Sequence, residues 1–316
     1  MRHHAGPTTS GQTTSGPTTS GSTTSGTADA SALHQPILEW YDEHARDLPW
    51  RGEDASPWSV MVSEFMLQQT PVARVLPVHA VWLERWPTPT DLAAEPSGEA
   101  VRAWGRLGYP RRALRLHAAA TTIVDRHDGQ VPREYAELVA LPGVGDYTAS
   151  AIASFAFGRR HVVLDTNVRR VFARTMAGVE FPARSITRAE RDLATALLPD
   201  ESTAAAWAVA VMELGALVCT ATTPACERCP VSDRCAWRLA GHPAYDGPPR
   251  PTQAWAGTDR QVRGRLMAVL RESDVPVHRS SLEAAWPETE QRERCLAGLL
   301  RDGLAVRTGG GTYALP

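Results

Sequence analysis

Cys219-Thr220-Ala221-Thr222-Thr223-Pro224-Ala225-Cys226-Glu227-Arg228-Cys229-Pro230-Val231-Ser232-Asp233-Arg234-Cys235 gathers four of the chain's five cysteines into one short stretch with the spacing C-x6-C-x2-C-x5-C. Four thiols so close in sequence can surround one metal centre, and a cytosolic chain has little use for disulfides there. Structural zinc sites usually bring two short cysteine pairs from separate turns, whereas only Cys226 and Cys229 form such a pair here. Thiolates placed singly around a larger cluster fit an iron–sulfur cubane better, with zinc as the rival. The fifth, Cys295, lies apart on the apolar side of a helical pattern and reads as packing.

Upstream of the cysteines, amphipathic helical patterns dominate. They run over 32–44, 57–69, 77–86, 99–107, 113–127, 133–140, 147–157, 168–176, 187–198 and 202–218, separated by turn signals such as Pro87-Thr88-Pro89. Almost nothing alternates with period two, so residues 31–240 read as all-α. Downstream, 241–257 is rich in Pro, Gly and Ala and reads as a linker. Beyond it, 258–272 and 288–302 are helical, and 304–307 with 312–315 can pair across Gly309-Gly310-Gly311. This predicts a small winged-helix-like α+β unit over 258–316. Residues 1–30 repeat a Thr-Thr-Ser-Gly unit without an apolar core and predict a disordered tail.

Composition excludes several function classes. The chain has no lysine, so all 33 basic residues of the Lys+Arg count are arginine. A lysine Schiff-base lyase and a P-loop nucleotidase are both ruled out. No apolar run reaches a membrane span, and Met1-Arg2-His3-His4 is followed only by Thr, Ser, Gly and Pro rather than an apolar signal core. A cytoplasmic protein is expected. The formal charge of −2 gives no global attraction to nucleic acid, but arginines cluster at 102, 106, 111, 112 and 115 and again at 159, 160, 169, 170 and 174. Each cluster is a candidate phosphate contact or simply a solvated face.

Three further segments carry chemistry. In Leu141-Pro142-Gly143-Val144-Gly145-Asp146-Tyr147-Thr148, Pro142 and the two glycines form a tight turn before a helix, and the amides of Gly143, Val144 and Gly145 can point at a phosphate. The alternative is a close-packed connection. In Val60-Met61-Val62-Ser63-Glu64-Phe65-Met66-Leu67-Gln68-Gln69-Thr70, apolar neighbours desolvate Glu64 and favour its protonated form. A lone Glu on a solvated stripe is the plainer reading. In Val162-Val163-Leu164-Asp165-Thr166-Asn167-Val168-Arg169-Arg170, Asp165 or Asn167 either caps the next helix or presents an ionised carboxylate to a developing cation, with Asn167 orienting Asp165.

Residues 32–239 resemble the MutY branch of the endonuclease III glycosylase superfamily. The resemblance rests on the cysteine loop, on Leu141–Thr148 as a helix–hairpin–helix, on Glu64–Thr70 beside the family's SEIMLQQT, on Leu164–Val168 beside its LDGNV, and on Leu48-Pro49-Trp50-Arg51 and Leu107-Gly108-Tyr109. It implies a two-lobed helical fold holding a 4Fe-4S cluster on Cys219, Cys226, Cys229 and Cys235. Bifunctional relatives carry a lysine nucleophile where this chain has Tyr147, so a monofunctional enzyme using water is expected. By the resemblance Glu64 protonates adenine, Asp165 stabilises the oxocarbenium-like sugar with Asn167 and Tyr147 assisting, and Arg51 lies near the adenine. Gln69 and Tyr109 would enter the DNA stack to hold the flipped state. The chain departs from the family at Thr166, where a glycine is usual, at Pro110, where a second tyrosine is usual, and after Leu239, where no Nudix-like segment follows.

The expected function is hydrolysis of the N-glycosidic bond of adenine opposite 8-oxoguanine or guanine. The partner would be double-stranded DNA, bound by a monomeric, nucleoid-associated enzyme. A glycosylase for another base, such as an oxidised pyrimidine or a T·G thymine, is the rival within the superfamily. A non-catalytic iron–sulfur DNA-binding regulator is the rival outside it, though a regulator needs no Glu64 and Asp165 pair.

Overall fold

The computed structural model describes residues 31–247 and 255–316. The tail expected over 1–30 and the middle of the expected linker, 248–254, lie outside the described residues. Helix starts follow local chemistry. Ser56 caps α2 (Pro57–Leu67), its side chain accepting the Ser59 N–H at 3.1 Å, with Pro57 at the first helical position. Thr187 and Glu190 form a reciprocal capping box at α10 (Arg188–Ala196). Thr88 and Asp91 do the same for α4 (Pro89–Ala93), so Pro87-Thr88-Pro89 opens a short helix rather than only marking a turn. α3 (Val72–Arg85) begins five residues before Pro77 and carries that proline inside it, so the expected start at 77 was late.

The remaining helices are α1 (Ser31–His44), α5 (Ser97–Ala103), α6 (Arg111–His127), α7 (Tyr135–Val139), α8 (Asp146–Phe157), α9 (Thr166–Thr175), α11 (Glu201–Leu217), α12 (Ala236–Leu239), α13 (Asp259–Arg271), α14 (Arg279–Ala285) and α15 (Thr289–Arg301). They pack as two lobes. The first lobe, α2 to α8, buries Trp58, Phe65, Trp82, Trp86, Trp104, Leu116 and Ile152. The second joins α1 to α9, α10, α11 and the cysteine loop around Ile37, Phe172, Trp207, Leu214 and Val231. A small contact of Ala151, Val163 and Ala208 links the lobes.

At the C-terminus, strands β1 (Val277–His278), β2 (Val306–Gly309) and β3 (Thr312–Ala314) form an antiparallel sheet of order β1-β3-β2. Val277 and Arg307 both pair with Tyr313, and β2 shifts register between Arg307 and Gly309. With α13 to α15 this is the winged-helix-like arrangement expected. β1 and α14 escaped the sequence pattern because a two-residue strand shows no period. The unit does not stand apart from the first lobe: Leu266, Leu270, Leu296, Leu299 and Tyr313 continue its apolar core. Gly98 donates its N–H to the Pro316 carbonyl at 2.8 Å, Arg102 donates to the Arg271 and Ser273 carbonyls, and Arg111 pairs with Asp302 at 3.5 Å.

Three arginines of the two clusters turn inward, neither phosphate contacts nor solvated faces, while Arg106, Arg111, Arg115, Arg159 and Arg160 stay exposed. Arg112, Arg170 and Arg174 are buried. Arg170 donates to the carbonyls of Cys219 and Gly215, and Arg174 to those of Glu180, Thr220 and Ala221. Arg112 serves the end of α2, where the last carbonyls lack intrahelical partners. Its guanidinium donates to the carbonyls of Phe65 at 2.8 Å, Met66 at 3.0 Å and Gln68 at 2.6 Å, and to the Thr70 hydroxyl and the Gly108 carbonyl at 3.0 Å each. Burial lowers its pKa to about 10, which leaves it cationic at neutral pH. The loops it joins present Gln69 and Tyr109, both in the left-handed region with φ of 58° and 48°. Arg112→Met strands these carbonyls without a donor and is expected to cost about 3 kcal/mol of stability, measured by urea unfolding; a loss under 1 kcal/mol contradicts this role.

Candidate active site

A cleft of about 810 Å³ opens between the lobes. α2 supplies Glu64 to it. Every residue from Trp58 to Met66 is buried, so Glu64 enters the cleft wall with little solvent access, at 5 % exposure. Burial raises its pKa to about 7, and the negative charge of Asp165 adds to the rise. Hydrogen bonding from Tyr147 and the charge of Arg51 oppose it. Tyr147, on the first turn of α8, is itself pushed well above its usual value by burial and then by the Glu64 and Asp165 charges. Its hydroxyl therefore keeps its proton and donates toward Glu64.

Asp165 faces this pair from the start of α9 and performs the capping role as well: its Oδ1 accepts the Val168 N–H at 2.7 Å. The Asn167 amide donates to its Oδ2 at 2.8 Å, while Asn167 Oδ1 accepts from Arg170 at 2.8 Å. Burial raises the Asp165 pKa, and these donors pull against the rise. Of the two carboxyls, the one without backbone donors is Glu64. Thr166 is the first residue of α9, within ordinary helical backbone, so a β-branched side chain is accommodated where the family pattern has glycine. On the other side of this turn, α11 approaches so closely that a Cβ on Gly215 would stand 2.7 Å from the Asn167 Cβ.

Arg51 lines the cleft and pairs with Glu213 at 3.0 Å. Glu213 escaped the sequence reading. It is fully buried on α11 and accepts from Arg46 Nε and Nη2 at 2.7 Å each. Burial pushes its pKa up, but the hydrogen bonds and charges of Arg46 and Arg51 outweigh this and hold it below the usual value. The signal was present: Val211-Met212-Glu213-Leu214 sets an acid in an apolar helical run just as Val62-Ser63-Glu64-Phe65 does. Tyr41, also unremarked in the sequence, lines the same cleft.

Gln69 reaches the cleft mouth and Tyr109 is exposed at 40 %. In the hairpin before α8, Gly143 takes a φ of 79° and a Cβ there would strike Arg115. Gly145 precedes α8 and faces open space, the arrangement an anion at a helix N-terminus requires. Val144 differs from expectation. Its N–H bonds the Leu141 carbonyl at 3.1 Å and its side chain is buried, because closing the turn consumes that amide.

Cys219, Cys226, Cys229 and Cys235 all line one small cavity beneath α9 and α11, together with Arg174. Two 3-10 turns, Cys226–Arg228 and Ser232–Arg234, wind the loop around it. Burial first, and then neighbouring thiolates, raise the pKa of Cys226, of Cys229 to about 12, and of Cys235. Four thiolates are stable there only around a multiply charged cation, and Arg174, 3.4 Å from the Cys219 sulfur, offsets the residual negative charge. The donor set fits an iron–sulfur cluster. Cys235→Ser is expected to lower bound iron and visible absorbance per chain by more than half, checked by iron assay after anaerobic purification; unchanged iron contradicts ligation by Cys235.

Comparison with known proteins follows the same lines. Residues 62–194 match the HhH-GPD superfamily of base excision DNA repair proteins, and residues 219–235 match the iron–sulfur binding domain of endonuclease III. The chain is 55% identical over 282 residues to an adenine DNA glycosylase of Mycobacterium tuberculosis, covering 89% of this chain and 92% of the relative. It is 51% identical to that of Mycolicibacterium smegmatis (88% and 94% covered) and 40% identical to that of Homo sapiens (66% and 40%). Among solved structures, a thermostable thymine-DNA glycosylase superposes with a TM-score of 0.61 at 26% identity, covering 67% of this chain and 97% of that one. A non-covalent endonuclease III–DNA complex, at 23% identity and TM-score 0.57, covers 67% and 95% and shares the fold. The chain belongs to the adenine DNA glycosylase family of the HhH-GPD superfamily, with an endonuclease III-type 4Fe-4S domain.

Proposed function

We propose that this DNA glycosylase releases adenine mispaired with 8-oxoguanine or guanine, using water and no covalent enzyme intermediate. The observation that carries the mechanism is the cleft in which Glu64, with a pKa raised to about 7, faces an Asp165 held by backbone and amide donors.

An adenine flipped from the duplex enters the cleft. The Glu64 carboxyl gives its proton to a ring nitrogen, the bond from N9 to the sugar C1′ breaks, and its electron pair leaves with the neutral base. Positive charge spreads over C1′ and the ring oxygen, facing the Asp165 carboxylate. Water adds to C1′ and its proton passes to the Glu64 carboxylate, which restores the acid and leaves an abasic site. Tyr147, protonated and donating to Glu64, holds the acid's orientation and is no nucleophile. Arg51, fixed by Glu213, faces the base side of the cleft. When bound, the 4Fe-4S cluster supplies a covalent clamp on the cysteine loop and a one-electron redox centre, while the hydrolysis itself is redox-neutral.

Full-length holoprotein should produce alkali-labile breaks at the adenine of an A·8-oxoguanine duplex and of an A·G duplex. No breaks, with a control glycosylase active on the same duplexes, refutes the reading. Glu64→Gln should bind these duplexes with wild-type affinity and excise about 10²- to 10⁴-fold more slowly; wild-type excision rates rule out this acid.

Because the acid form of Glu64 is the competent one, kcat/KM should fall about tenfold per pH unit above about pH 7. A profile flat to pH 9 contradicts the assignment. The same shift affects stability. The folded chain holds the Glu64 proton more tightly than the unfolded chain, so this contribution is full below about pH 4.5 and is lost as pH rises through about 7. Glu64→Gln, uncharged throughout, should melt above wild type at pH 8, with the gap closing toward pH 4.

A further inference from the structure

Among the described Phe, Trp and Tyr residues only Tyr109 and Trp255 are exposed, at 40 % and 52 %. They come from opposite ends of the chain's fold, one before α6 and one before α13, yet they flank the same guanidinium. The Arg260 guanidinium carbon, on the first turn of α13, stands 4.8 Å from the centre of the Tyr109 ring and 5.3 Å from that of Trp255. The α13 unit is held to the first lobe through Gly98, Arg102 and Arg111, so this stack has a set position.

Its position is beside the cleft mouth. The Arg112 guanidinium, 5.7 Å from the Tyr109 ring, bonds both the Gly108 carbonyl and the Gln68 carbonyl, and Gln69 lines the cleft. Exposed aromatic rings with a guanidinium plane between them offer π faces to a planar ligand. A nucleobase is such a ligand, and stacking of this kind tolerates any base. Flipping adenine out of the duplex leaves one such base, guanine or its 8-oxo form, without a partner.

We infer that Trp255 and Arg260 form, with Tyr109, a stacking site for the purine orphaned opposite the flipped adenine. The inference rests on the adenine-glycosylase reading above, and gives the C-terminal unit a part in recognising the mispair. A stack serving only to fasten the unit to the first lobe would contribute equally whatever base lies opposite.

The test uses full-length holoprotein and duplexes carrying 2′-fluoro-deoxyadenosine, whose electron-withdrawing fluorine blocks oxocarbenium formation. Opposite it stands 8-oxoguanine, guanine or an abasic tetrahydrofuran. The quantity read is the ratio of Kd for the abasic duplex to Kd for each purine duplex, which is insensitive to overall loss of affinity or partial unfolding. Arg260→Ala, Arg260→Lys and Trp255→Ala should each lower this ratio about tenfold for both purines, since lysine keeps charge but lacks the plane. Trp255→Phe should retain it within threefold. A ratio unchanged in Arg260→Ala and Trp255→Ala overturns the inference, whatever happens to absolute affinity. A wild type that excises adenine but shows no preference for an opposing purine over the abasic site overturns it alone. A wild type that excises no adenine overturns the function beneath it.

Discussion

One buried cation organises the side of the first lobe beside the cleft mouth. Arg112 closes the C-terminal end of α2, whose other end is capped by Ser56, and ties that end to the loop before α6. The Thr70 hydroxyl, itself bonded to the Leu107 carbonyl at 3.1 Å, is shared in the same network. Two segments distant in sequence, 65–70 and 107–112, thus depend on a single guanidinium. A lysine could not replace it, since an ammonium has three donors and no plane. The positive backbone angles of Gln69 and Tyr109 are each somewhat unfavourable on their own and persist because this network over-determines both loops.

The cleft applies the same economy of position to charge. Glu64 and Asp165 are both buried carboxyls, but one is given a hydroxyl donor and an apolar helix, the other a helix N-terminus and an amide. Burial raises the pKa of both, but only Asp165 has backbone and amide donors that pull against the rise. Asp165 as helix cap and Asp165 as site residue are therefore not alternatives: the N–H of Val168 that the cap satisfies is also the donor that favours the ionised carboxylate. Glu213 plays a complementary part, since a buried anion shared by two arginines fixes Arg51, whose remaining positive charge partly opposes the rise in the Glu64 pKa.

Much of this was legible in the sequence because it depends on local spacing. The cysteine loop, the helix periods, the hairpin and the apolar run around Glu64 are all short-range signals. What escaped depends on distance across the fold. Glu213 looks like Glu64 in sequence, and only the return of α11 beside the Arg46–Arg51 segment separates their roles. The arginine clusters were read as outward because charged residues at helical spacing normally face water. Here carbonyls at helix ends and in the cysteine loop needed donors, and Arg112, Arg170 and Arg174 were drawn in while the rest of the clusters stayed at or near the surface. Pro77 was taken as a helix start because proline is favoured at the first helical position; α3 instead tolerates it in its second turn. The amide of Val144 was misplaced because a tight turn must close on one of its own N–H groups before it can offer the others.

The packing of α1 on the second lobe has a consequence for how the chain comes to its fold. His34 bonds the Leu197 carbonyl across 163 residues of sequence, and Arg234 reaches the Ala32 carbonyl across 202. On a ribosome, α2 to α8 emerge as one contiguous run and can condense among themselves, whereas α1, made earlier, has no partner until α11 and the cysteine loop follow. The packing partners of α1 thus come from segments made long after it, the iron–sulfur loop among them. The cysteine loop and the surface on which α1 packs are supplied by the same late stretch of chain.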